Sequence, residues 1–312
     1  MDHRITPVTA GLAAFLVRRL LTALVFVLIV SSSALVLARL APGDAATGSS
    51  LQTSQTQLDA TRARLHLDRP VAWQLADWFA GLARFDLGRS SLYDQPVTGL
   101  LRERAPRTAA LASVALAIAA AVALPLGMVT GAKPRGLVAR LVTPISLALV
   151  SCPPLIGALA LLWLALSTHW LPATTGSLAV PALALALPLA ATMERLQSQA
   201  IADALAAPDL LAAAARGIPP TRLVWVHAMR QSLRPVLGIF GIVIGSVFSG
   251  SLAVEWVTSW PGLGRLMYDA VINRDVFLVT GCAFVGAALI ALGNLIADLA
   301  RAVVDPRVQE GL

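Results

Sequence analysis

Lysine is almost missing from this chain: Lys133 stands alone against 23 arginines. A phosphate-cradling loop needs Gly-Lys-Ser/Thr. Lys133 is followed by Pro134, so no such loop exists here, and any ATP involved is bound by another subunit. Cysteine is nearly as scarce. Cys152 and Cys282 both sit in apolar runs without metal-ligand spacing, and both read as small packing residues. The sequence offers no Ser/His/Asp set and no cluster of metal ligands, so no catalytic site, metal or cofactor is expected in the chain itself. Charge is the third shortage. Only 13% of residues are charged, where a soluble domain carries about 25%.

Apolar residues fill the gap, at 57% of the chain with a mean hydropathy of +0.75. The sequence therefore reads as an integral membrane protein. A net charge of +7 would suggest nucleic acid in a soluble chain. Here basic residues flanking membrane spans explain it, and no nucleic-acid partner is expected. Charge-free windows at 20–38, 108–132, 141–193, 235–254 and 276–297 locate the spans, each of which needs about 20 mostly apolar residues. The longest window is interrupted from Ser167 to Ser177 by His169, Trp170, Pro172 and Gly176, so it holds one span and part of another. The expectation is an all-α membrane domain over residues 1–312 with six transmembrane helices, near 16–38, 108–131, 141–166, 178–200, 235–257 and 276–300. The first is too long for a cleaved signal peptide and reads as retained. Pro181 and Pro188 predict a bend in the fourth.

Basic residues set the orientation. Lys133, Arg135 and Arg140 carry one loop, and Arg195, Arg216, Arg222, Arg230 and Arg234 outnumber Glu194, Asp203 and Asp209 in another. Both loops are predicted cytoplasmic, and with six spans both termini as well. Trp170, Trp256 and Trp260 then mark an outer aromatic belt. The external segment 41–103, with the adjoining Arg104, balances seven arginines against seven acids from Asp44 to Glu103. Within it Val71, Leu75, Trp78, Phe79 and Leu82 fall at helical spacing, which predicts an amphipathic helix on the outer face. His169 reads as solvated in an external turn. Glu194 and Arg195 read as a local ion pair, as do Asp298 and Arg301.

Between the fourth and fifth spans lies a basic island, the loop 203–234. Pro208 suits a first helical position, Asp209 places a carboxylate in the first turn, and Gly217 can close the helix in the left-handed conformation. A helix over 208–216 and a second from Pro220 to Arg234, stopped by Pro235, are expected. So short a helix needs a surface. It can lie on the membrane or dock into a partner, and the local sequence leaves both open.

Several motifs converge on one family. Arg18-Arg19-Leu20-Leu21, Leu40-Ala41-Pro42-Gly43-Asp44, Leu67-Asp68-Arg69-Pro70, Asp86-Leu87-Gly88-Arg89-Ser90, Ser259-Trp260-Pro261-Gly262-Leu263-Gly264-Arg265 with Asn273-Arg274-Asp275, Asn294-Leu295-Ile296-Ala297-Asp298 and Val304-Asp305-Pro306-Arg307 follow one another in order. On this topology the chain resembles the first permease subunit of binding-protein-dependent ABC importers of the oligopeptide, dipeptide and nickel group. The resemblance implies a second permease, one or two ABC ATPases holding ATP and Mg, an extracytoplasmic substrate-binding protein, and a place in the bacterial inner membrane among its lipids. It makes the island a coupling loop that docks on an ATPase through Asp209, Leu210, Leu211, Ala213, Ala214, Arg216 and Gly217. Ala213, Gly217 and Pro235 keep the family spacing. Leu211 replaces an acid, Leu210, Ala212 and Ala214 replace polar, aromatic or basic residues, and Arg234 replaces a leucine. The grip is then expected to be apolar, with Arg216 as its polar handle.

In the fifth span Gly241, Gly245 and Ser249 repeat at four-residue spacing, with Gly238 three residues before them. Small residues so spaced allow close helix approach. They serve either packing within the chain or a path-lining seam with the second permease. Gly241, Gly245, Ser249 and the interfacial Glu255 are the candidate path or gate residues. A stand-alone secondary transporter would be expected to show internal repeats and midplane acids. A membrane enzyme would show a catalytic set. The sequence displays neither.

Overall fold

The computed structural model describes residues 6–40, 70–169 and 176–304. Trp170 and the motifs at 41–44, 67–69 and 305–307 lie outside the described residues. The helices in order are α1 Thr6–Leu40, α2 Val71–Ala83, α3 Val97–Ala132, α4 Leu137–Ser151, α5 Pro154–Thr168, α6 Ala179–Ala206, α7 Pro208–Ala215, α8 Pro220–Arg222, a π turn Leu223–Ala228, α9 Met229–Gly238, α10 Phe240–Val257, α11 Leu263–Ile272 and α12 Val276–Val304. Among the described residues the one β contact is a lone antiparallel bridge between Arg89 and Pro96. The architecture is an all-α membrane fold. Among the described residues five helices are long and apolar enough to cross a bilayer, and α4 with α5 passes the same test as a pair.

Contacts divide the chain into two compact units. One gathers Ala110–Trp260 with described parts of Met1–Arg19 and Leu292–Leu312, and the other Pro261–Ala291 with described parts of Leu20–Ala109.

The first unit is built on α3 and α6. Leu111, Ala115, Ala119, Ala123, Gly127 and Gly131 form an unbroken i, i+4 ridge along α3, and all six are buried. With no large side chain on the ridge after Leu111, helix α6 can approach at backbone distance. A Cβ on Gly127 would stand 2.8 Å from the Glu194 carbonyl and 2.7 Å from the Gln197 Cβ, and one on Gly131 would overlap the Ser198 carbonyl. Such small-residue seams are how helices associate where lipid removes the hydrophobic driving force. Four residues along α3 correspond to four along α6, so the two run in the same sense. Helices α4 and α5 must therefore carry the chain back between them.

They do so as a broken element rather than the single helix expected over 141–166. The two are bent by 110° at the break. Pro153 excludes the helical conformation at Cys152, which takes φ −88°, ψ 118°, and Pro154 then opens α5 at its first position. A second correction concerns Pro235. It lies inside α9, which runs on to Gly238. Burial of Ser232 and Val236 on either side holds the helix despite the lost donor. Trp260 is corrected too. It is 9% exposed and belongs to the first unit's core, because a left-handed Ser259 turns the chain back so that the Trp260 N–H reaches the Glu255 carbonyl at 2.9 Å. Trp256 remains exposed.

In the second unit Leu75, Trp78 and Leu82 of α2 pack with Leu35 of α1, Val97, Leu100 and Leu101 of α3, and Leu278 and Cys282 of α12. The amphipathic helix inferred from the spacing thus exists, with Trp78 edge-on to Phe284 at 6.5 Å.

Candidate coupling surface

Helix α7 is a two-faced element. Leu210 and Ala213 are buried, and Leu210 joins Met128 of α3, Ile201 and Ala204 of α6, and Ala228 of the π turn in a small core. Leu211, Ala212, Ala214, Ala215 and Arg216 remain exposed, Leu211 by 57%. The assignment of Leu210 and Ala213 to a partner contact is corrected accordingly: an eight-residue helix needs a seat, and these two are its buried side chains. Asp209 in the first turn accepts a 2.5 Å hydrogen bond from Gln231 Nε2, tying α7 to α9. The exit is a Schellman turn. Gly217 has φ +86°, its N–H reaches the Ala214 carbonyl at 3.0 Å, and the Ile218 N–H reaches Ala213 at 3.3 Å.

Behind this seat lies a polar layer that no sequence pattern flagged. Glu194 is buried and accepts hydrogen bonds from Thr130 Oγ1 at 2.6 Å and Ser146 Oγ at 2.9 Å, fastening α6 to α3 and α4. The expected local pair with Arg195 is replaced by these two hydroxyls, because the small residues of α3 draw this face of α6 inward while Arg195 stays exposed. One turn further, Gln197 Nε2 donates to Ser232 Oγ at 2.9 Å and joins α6 to α9. The loop helices are thus hydrogen-bonded to α6, which is itself hydrogen-bonded to α3 and α4.

The candidate path residues divide. A Cβ at Gly241 would stand 2.9 Å from Asn294 Oδ1 of α12, so this glycine serves packing within the chain. A Cβ at Gly245 meets nothing within 4 Å, and Ser249 is exposed, as are Ile242 and Ser246 on the same side of α10. Glu255 is fully buried inside the chain rather than placed on that open side. Asp298 pairs with Arg19 at 3.1 Å, not with Arg301, whose guanidinium donates instead to the Leu237 and Gly238 carbonyls. The early part of α1, the end of α12 and the start of α10 therefore meet at one end of the first unit.

The comparisons with known proteins agree with this layout. Residues 123–310 match the family described as "Binding-protein-dependent transport system inner membrane component", and residues 12–112 match "Binding-prot-dependent transport system membrane comp, N-term". The chain belongs to this permease family. The oligopeptide transport system permease protein AppB of Bacillus subtilis is 29% identical over 96% of this chain and all of its own length. A "putative peptide permease protein" of Brucella suis is 30% identical over 95% of this chain and 98% of its own. A "probable peptide ABC transporter permease protein" of Sinorhizobium fredii is 28% identical over 96% and 100%. The chain is thus a multi-pass inner-membrane permease subunit of an ABC importer, not the catalytic subunit, and it works with other subunits of the system.

In this permease two motif segments far apart in sequence meet at Asp275. Its carboxylate caps α12 through the Leu278 N–H at 3.1 Å, and its other oxygen accepts from Ser90 Oγ at 2.6 Å and the Leu92 N–H at 3.1 Å. Nearby, Tyr93 donates to Asp269, and burial together with that carboxylate raises the phenol above its usual pKa, so it stays a donor. Asp275→Ala is expected to cost about 2–3 kcal/mol, a lost helix cap plus a buried hydroxyl left without its acceptor. Asp275→Asn should lose less than half of that. Thermal unfolding of the solubilised transporter measures both, and equal midpoints for Asp275→Ala and wild type would refute the assignment.

Proposed function

We propose that this permease conducts peptide-like solutes delivered by an extracytoplasmic binding protein, and that α7 is its docking element for an ABC ATPase. The observation that carries the docking role is the split of α7. Its inner face is fixed to α3, α6 and α9 by packing and hydrogen bonds, while its outer face of Leu211, Ala214 and Arg216 is left uncovered. An element so mounted passes a push from a partner to the spans. ATP and Mg are held by the partner ATPases, and one or two of these would serve each transporter. The basic loops favour the cytoplasmic side for this end, and with it for both termini. The open side of α10 with Gly245 and Ser249 suits the second permease, and the path between them. Peptide-like solutes are favoured by the names of the relatives.

Leu211→Cys and Ala214→Cys are expected to crosslink to an ATPase in the assembled transporter, whereas buried Ala213→Cys is not. If neither exposed position crosslinks, docking lies elsewhere. A periplasm-active reporter fused after Leu312 should be silent, and an active one would reverse the orientation. Mass spectrometry of solute retained by the cognate binding protein tests the substrate class.

A further inference from the structure

A cleft of about 350 Å³ opens beside α2, lined by Asp77, Trp78, Arg84, Asp86, Gly88 and Phe277 among others. Trp78 is 4% exposed, and its indole N–H is buried without an acceptor among the described residues. A buried donor in that state costs about 1–3 kcal/mol unless something accepts from it. The cleft's charges balance. Arg84 and Arg89 face Asp77 and Asp86, and Arg89 is already engaged by Asp94 at 3.0 Å while Asp86 gives one oxygen to the Gly88 N–H. Among the described residues Arg84 then has no ion pair, with carboxylate oxygens beside it in the cleft, a pattern that suits a zwitterion better than a simple anion.

The position of α2 indicates which zwitterion. Its neighbours are Leu35 and Ala38 close to the end of α1, and the first turns of α3 and α12. Helix α2 therefore lies at the level where three spans emerge, which is the depth of lipid headgroups. Around it Trp73 (59%), Phe79 (40%) and Phe85 (88%) are exposed. Phe85 is held at φ +57°, a conformation costing a non-glycine residue about 1–2 kcal/mol. Bulky aromatics beside a span end are the side chains that settle into the bilayer interface.

We propose that this cleft is a binding site for the headgroup of a zwitterionic phospholipid with a primary ammonium. The phosphate accepts from Trp78 Nε1 and Arg84, and the ammonium donates to Asp77 and Asp86.

Native mass spectrometry of the assembled transporter, purified from vesicles of equal phosphatidylethanolamine, phosphatidylcholine and phosphatidylglycerol, tests the proposal. Wild type should retain phosphatidylethanolamine at least about fivefold over either competitor. Trp78→Phe, which keeps the ring and removes the donor, and Arg84→Gln should each lower that retention about tenfold. Asp77→Asn should shift the preference toward phosphatidylglycerol and so reports even if Trp78→Phe assembles poorly. Equal retention of the three lipids, or unchanged retention in both Arg84→Gln and Asp77→Asn, overturns the site. So does displacement of the lipid by millimolar glycylglycine, which would make the cleft a subsite for a soluble zwitterion.

Discussion

Gly131→Leu is expected to leave little folded permease in the membrane. The glycine ends the small-residue ridge of α3, and any Cβ there falls into the Ser198 carbonyl and within 2.9 Å of the Ile201 Cβ. Both obstacles are backbone or branch-point atoms, so no rotamer change relieves them. The helices must separate, and separation also opens the Thr130–Glu194 hydrogen bond one residue away and the core that seats Leu210. Overpacking alone costs about 1–3 kcal/mol. The stranded carboxylate and the unseated loop take the total above about 3 kcal/mol, a large share of a marginal stability. Fluorescence-detected size exclusion of tagged permease measures the loss. Gly99→Leu on the same helix is the control, since a Cβ there meets nothing within 4 Å. Equal monodisperse peaks for the two variants would show that the ridge does not hold α3 to α6.

Gly217→Val should do the reverse, sparing the fold and abolishing coupling. No atom lies within 4 Å of a Cβ at Gly217, so the substitution meets no steric clash. It meets only the backbone. A β-branched residue at φ +86° is strained by about 1–2 kcal/mol, and the relaxed alternative breaks the two hydrogen bonds that close α7. The exposed face would then turn relative to Leu210 and Ala213. Since a docking contact depends on ångström placement, uptake should fall at least about tenfold while membrane abundance stays within a factor of two. Reconstituted vesicles measure uptake and ATP hydrolysis together. Normal uptake per ATP in Gly217→Val would remove α7 from the coupling path. Gly217→Asn, which tolerates the left-handed region better, should restore part of it.

Much of this layout could be read from local sequence. Pro208 and Gly217 marked the two ends of α7 because helix termini are decided by the residues that stand there. The charge-free windows found the apolar helices because burying charge in a bilayer is costly. What escaped was contact between distant segments. The ridge from Leu111 to Gly131 was visible as spacing, yet nothing local said that it faces α6 rather than lipid. Glu194 reads as a local ion pair with Arg195 at the start of a cytoplasmic loop, and only the approach of α3 makes it a buried acceptor. Leu210 and Leu211 are equivalent in composition, and a one-residue rotation sends one to the core and the other to the surface. The break at Cys152 was there to be read in Pro153-Pro154, and a long apolar window concealed it.

The π turn at Leu223–Ala228 holds one residue more than an α-helix would need for the same hydrogen-bonded stretch. It acts as a length adjuster between the loop and the membrane. Were the same residues wound as α-helix instead, every residue after them would swing by about 100°. Ser232 would leave Gln197, Gln231 would leave Asp209, and the α10 side now open at Ser249 would be aimed at its own subunit. The phase of α10, and with it which of its residues stay uncovered, is therefore set ahead of the membrane by the winding of one extra amino acid.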